Sequence, residues 1–74
     1  MNYPVIDPVS TGSNIRTLIR NSGHTISGVG RMLGLADMST MYKWLRGDAL
    51  PAIDNMLALS ILLGVSINDI LVTK

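Results

Sequence analysis

The chain has no cysteine, no phenylalanine and only three aromatic residues among its 74: two Tyr and one Trp. Without cysteine, neither a disulfide nor a thiolate metal site can support so short a chain. Nothing in cysteine usage places it outside a reducing cytoplasm either. A chain of this length buries only about 60% of the surface its unfolded form exposes, so one thin domain is expected. Apolar residues still make up 47% of it. Its core must come from Leu, Ile, Val and Met, which suits packed helices better than aromatic-rich strands. Residues 1–13 carry no Lys or Arg and no continuous apolar block, which speaks against a signal peptide. The longest apolar run, Met56 to Val65, is broken by Ser60 and Gly64 and reaches about half of the ~20 residues a spanning helix needs. A soluble, cytoplasmic protein with no membrane contact is expected.

Charge is low but unevenly placed. The net value is +1. Arg16, Arg20, Arg31, Lys43 and Arg46 stand against the single acid Asp37 between Asn14 and Gly47, whereas Asp48 to Thr73 holds Asp48, Asp54 and Asp69 and no base. The first part can face a polyanion and the second cannot.

Pro4, Pro8 and Gly12 argue against a helix in residues 1–13, which are expected to form an extended arm before a domain spanning 14–74. Five helical segments follow. The first opens at Ser13 or Asn14, sets Ile15, Leu18 and Ile19 on one face, and stops at Gly23. The second is capped by Thr25, buries Val29, Met32 and Leu33, and ends before Gly34. The third starts from a cap at Asp37 or Ser39, turns Met41, Trp44 and Leu45 inward, and ends at Gly47. The fourth has Pro51 near its first turn and runs to Leu63, with Gly64 as its stop. No other helix is expected to exceed it in length. Ser66 followed by Asp69 resembles a capping box, opening a short fifth helix with Ile67, Ile70 and Leu71 inward. The fold class is all-α: a compact five-helix orthogonal bundle with an extended N-terminal arm.

The functional signal lies between Thr25 and Leu45, where two short amphipathic helices are joined by a turn at Gly34 to Asp37. With Met41, Trp44 and Leu45 inward, Met38, Ser39, Tyr42, Lys43 and Arg46 face partly or wholly outward. Short hydroxyls at the start of a helix and cations at its end suit a major groove, where N-terminal residues reach base edges and flanking groups meet phosphates.

Across Asn14 to Val72 the sequence resembles the Cro/CI-type, or lambda-repressor-like, helix-turn-helix family. The resemblance rests on NIRTLIRNSGHT, VGRMLGL and STMYKWLRGDALPAIDNMLALSILLGVSINDIL taken together. WLRGDALP looks like the family's W-x-x-G-x-x-x-P junction, and LGVSINDIL is similar to its closing helix. The resemblance implies a DNA-binding regulator of transcription without catalytic activity or cofactor. Thr25 would begin the helix whose backbone amides meet a phosphate. Gly30 would let the two helices cross closely. Met38, Ser39, Thr40, Tyr42 and Lys43 fall on the recognition helix, with Ser39 and Tyr42 toward base edges and Thr40 and Lys43 toward phosphates. Arg46, at the exit, is a further phosphate ligand. Three departures stand out. GLADMST is one residue longer than the usual turn, Ile26 replaces a common Gln, and neither Arg nor Gln occurs from Met38 to Lys43.

Trp44 lies on the apolar stripe and so belongs to the core rather than to a stacking platform for single strands. Gly28, Gly30 and Gly34 are spaced one residue too widely for a dinucleotide fingerprint and follow no strand. His24 has no carboxylate or thiol at a telling spacing. The dispersed Asp residues form no metal set, and Asp37, Asp54 and Asp69 suit helix starts. The fourth helix is too apolar for one buried face. Leu59, Ile61, Leu62 and Val72 are therefore candidates for an exposed patch through which the fourth and fifth helices form a homodimer. The runner-up function is a protein-binding module of the same fold, such as an antitoxin or small adaptor.

Overall fold

Glycines divide the chain into its elements. In the computed structural model, which describes residues 3–74, the helices are α1 (Pro8–Asn21), α2 (Ile26–Met32), α3 (Ser39–Arg46), α4 (Ile53–Leu63) and α5 (Ile67–Ile70). The all-α, five-helix expectation holds. Gly23, Gly34, Gly47 and Gly64, each expected as a helix stop, all take positive φ between 69° and 82°. The capping box also forms: Ser66 N–H donates to Asp69 Oδ2 at 3.0 Å, and Asp69 N–H donates to Ser66 Oγ at 3.1 Å.

The extended arm of residues 1–13 requires correction. Met1 and Asn2 lie outside the described residues, and from Pro8 onward the chain is helical, so the expected boundary at 13/14 falls inside α1. Pro8 does not block this helix, because it occupies the first turn, where its missing N–H has no intrahelical partner to lose. Asp7 caps it: its carboxylate accepts from Ser10 N–H at 3.1 Å and from the Ser10 hydroxyl at 2.9 Å. The bond to the Ser10 backbone, then that to its hydroxyl, holds the Asp7 carboxyl below its ordinary pKa. With this extra turn α1 has 14 residues against 11 for α4, so the fourth helix is not the longest. Among the described residues, 3–7 form a short extended stretch before α1. There Ile6 bridges Thr73, Asp7 N–H donates to Val72 O and Lys74 N–H donates to Val5 O, both at 2.8 Å.

Gly12 has a packing reason to be glycine inside α1. A Cβ there would clash with Trp44 O and stand 2.8 Å from Leu45 O, so the last turn of α3 crosses directly over the α1 backbone. Around that crossing lie Ile15, Ile19, Val29, Met41, Trp44, Leu45, Met56, Leu59 and Ile70, all buried. Trp44 belongs to this core, as its spacing predicts. Met32 does not: α2 ends there after seven residues, and its side chain is 56% exposed. Side chains of α1 also bind the C-terminal tail. Asn14 Nδ2 donates to Asp69 O (2.8 Å) and Ile70 O (3.0 Å), and buried Thr11 Oγ1 accepts from Val72 N–H (3.0 Å). The Asn14 bonds satisfy carbonyls that the short α5 leaves open, and the Thr11 bond satisfies an amide of the tail.

Of the four candidates for an exposed patch on α4 and the tail, Ile61 is exposed as expected and the other three are not. Leu59 is wholly buried, and Leu62 and Val72 are half-buried. The residues left outside are Ile53 (79% exposed), Leu57 (52%) and Ile61 (73%), a stripe at i, i+4, i+8. Ser60 is buried instead, its hydroxyl donating to Leu57 O at 2.7 Å. That bond removes the cost of enclosing a polar group.

Candidate nucleic-acid interface

The surface of interest is built by α2 and α3. Thr25 caps α2: its Oγ1 accepts from Gly28 N–H at 3.0 Å. After α2 the chain closes at Gly34 with Leu35 N–H donating to Gly30 O at 3.1 Å. Gly30 is buried against α3, and a Cβ on it would lie 2.7 Å from Met38 Sδ and 3.4 Å from Met41 Cγ. This is the close crossing expected at Gly30.

Helix α3 begins at Ser39 with Met38 in the cap position, and Met38 offers no side-chain cap. Asp37 supplies one from a residue earlier, its Oδ1 accepting from Ser39 N–H at 2.6 Å. The Ser39 hydroxyl, and with it that N–H, holds the Asp37 carboxyl below its ordinary pKa. Despite the longer turn, Met41, Trp44 and Leu45 lock the inner face where the periodicity places them.

The seven candidate residues therefore fall into three groups. Ser39, Tyr42, Lys43 and Arg46 are exposed together on the outer face of α3. Thr40 and Met38 are half-buried, and the sulfur of Met38 packs toward α2 against Gly30. Thr25 is exposed at the start of α2, its hydroxyl accepting from Gly28 N–H and lying 3.5 Å from the Ser27 hydroxyl. Arg16, Arg20 and Arg31 are exposed on the adjoining helices α1 and α2.

At the exit of α3, Gly47 N–H donates to Trp44 O (3.1 Å) and Asp48 N–H to Lys43 O (2.9 Å). This is a Schellman closure, and it needs the left-handed Gly47 (φ 82°). A Cβ on Gly47 would also meet Val9 Cα at 2.6 Å. The closure returns Asp48 toward the helix, where Arg46 Nε donates to Asp48 Oδ2 at 2.9 Å in an exposed ion pair. That contact was missed in the sequence, although its R-G-D spacing across a helix-ending glycine was the available signal. Among the described residues there is no enclosed pocket, no group of three metal-ligating side chains, and no helix long and apolar enough to cross a membrane. What α3 presents is an open polar helix face that carries Lys43 and Arg46.

No family model and no curated protein matches the chain. Solved structures do. The restriction-modification controller protein C.AhdI from Aeromonas hydrophila is 25% identical, with 86% of this chain and 96% of that chain covered at a TM-score of 0.76. The DNA-binding domain of BldD is 19% identical, with coverage of 89% and 94% and a TM-score of 0.72. The S. venezulae BldD DNA-binding domain is likewise 19% identical, with coverage of 89% and 97% and a TM-score of 0.73. Helix order, the α2–α3 crossing and these likenesses together give the chain the Cro/CI-type, lambda-repressor-like helix-turn-helix fold.

Proposed function

We propose that the chain is a sequence-specific regulator of transcription that binds double-stranded DNA with α3 in the major groove. The carrying observation is the outer face of α3, where exposed Ser39, Tyr42, Lys43 and Arg46 stand on a helix anchored by Met41, Trp44 and Leu45. Ser39 and Tyr42 are assigned to base edges. Lys43 and Arg46 are assigned to phosphates, with Thr40 and Thr25 as peripheral hydroxyl donors. Met38 serves mainly as the spacer that sets α3 against α2. The DNA-binding neighbours and the surplus of base over acid before Gly47 support the same reading. A cytoplasmic location and the absence of catalysis belong to it.

The active form is proposed to be a homodimer paired through Ile53, Leu57 and Ile61. Three large apolar side chains along one helix face favour burial, and a second copy presents the same face about a two-fold axis. Such a dimer sets two α3 helices about one DNA turn apart. The same stripe also fits the alternative reading, a module that docks on a protein partner.

Selection from random-sequence duplex at two salt concentrations, with Lys43→Ala beside wild type, tests the reading. A palindromic site is expected, bound with a log–log salt slope of roughly −5 if each subunit neutralises about three phosphates. Lys43→Ala should weaken it without changing its sequence. No enrichment and no salt-sensitive binding would favour the protein-docking module.

A further inference from the structure

We propose that Asp48 restrains Arg46 in the free protein and so limits the grip of α3 on DNA phosphates, an inference that rests on the DNA-facing reading of α3. Arg46 is the last residue of α3, and its Nε is committed to Asp48 Oδ2 at 2.9 Å, the only ion pair among the described residues. The acid is held in place. Its own N–H is bonded to Lys43 O at 2.9 Å, and Gly47 before it is fixed by φ and by the Val9 backbone. The backbone of Asp48 is therefore closed onto Lys43 and its carboxylate onto Arg46.

Helix stability gives no reason for an acid at this point. The C-terminal end of a helix carries partial negative charge, which disfavours a carboxylate, and an exposed pair with both partners more than half accessible contributes little. Its effect falls on the phosphate contact. When Arg46 turns to a phosphate, Asp48 loses its partner and is left beside a second anion. The exchange of partners sets the bound state against the free one, and Asp48 separates the basic first part of the chain from the acidic second part at the helix that must meet DNA. Asp48 is thus a positioning residue that lowers affinity and makes it less sensitive to salt.

Asp48→Asn tests this, because Asn can keep the backbone closure while removing the charge. Binding to a mixed-sequence duplex is measured for wild type, Asp48→Asn, Arg46→Ala and the double variant, with thermal unfolding as a check on folding. Asp48→Asn is expected to bind about two- to five-fold more tightly at low salt, with a salt slope steeper by about one per bound subunit. The gain should shrink sharply in the Arg46→Ala background. Unchanged or weaker binding by Asp48→Asn would overturn the restraint, as would an equal gain with and without Arg46, since that describes simple repulsion. If all four folded proteins fail to bind while selection also finds no site, the DNA-facing reading of α3 is what fails.

Discussion

Helices α3 and α4 solve the same packing problem with different leftovers. Helix α3 turns Met41, Trp44 and Leu45 inward and keeps hydroxyls and cations outside, so its burial is complete within one chain. Helix α4 buries Met56, Leu59 and Ser60, yet Ile53, Leu57 and Ile61 stay in solvent. A single sharp polar boundary marks a helix that meets water or a polyanion. Two apolar faces on one helix leave a surface that favours further association. The proposed division of labour follows: α3 reads DNA and α4 pairs subunits.

The strongest perturbation should come from the frame that supports α3. Gly12→Ala sets a methyl against the Trp44 and Leu45 carbonyls, backbone atoms that cannot swing aside. A loss of about 3 kcal/mol is expected by denaturant unfolding, and a near-neutral result would show that α3 can move off α1. Next in size is Leu57→Asp, a change on the exposed face of α4 that should leave the monomer folded. Sedimentation should show loss of the dimer, and DNA affinity should fall on the order of 100-fold as the second half-site contact is lost. An unchanged oligomeric state would detach the α4 stripe from self-association. Ser66→Ala should cost only about 1 kcal/mol, since it removes one side of the α5 capping box.

The smallest effect is expected from pH. Asp7, Asp37 and Asp69 have pKa values below ordinary, for Asp69 chiefly through the Ser66 backbone N–H and then its hydroxyl. A depressed folded value means stability that is present above the unfolded pKa of about 4 and lost as pH falls through the lower folded values. Stability should therefore be flat from pH 7 to about 5 and decline only in stronger acid. A thermal-unfolding series across that range checks it.

Much of this architecture is legible in the residues, and the exceptions have physical reasons. Gly47 and Gly64 stop helices because each follows an apolar stripe with its own period. Pro8 misleads when read alone, because proline breaks helix interiors but fits a first turn; the preceding Asp7 and following Ser10 are the cap that distinguishes the two cases. Gly12 reads as a breaker until α3 lies on it. The exposed stripe of α4 is illegible by periodicity, since both i, i+4 faces are apolar and only tertiary packing, with α5 among the partners, selects which one is covered. Within the candidate site, the outward set Ser39, Tyr42, Lys43 and Arg46 follows directly from the inward one. Met38 does not, because its contact with Gly30 depends on the α2–α3 crossing, and the Asp48 pairing depends on the left-handed turn at Gly47.

Amide chemical-shift mapping of the labelled protein during titration with its enriched duplex tests the central claim most directly. The account predicts large shifts at Ser39, Tyr42, Lys43 and Arg46, smaller ones near Thr25, and none at Ile53, Leu57 and Ile61. Shifts concentrated on α4, with α3 unchanged, would contradict it.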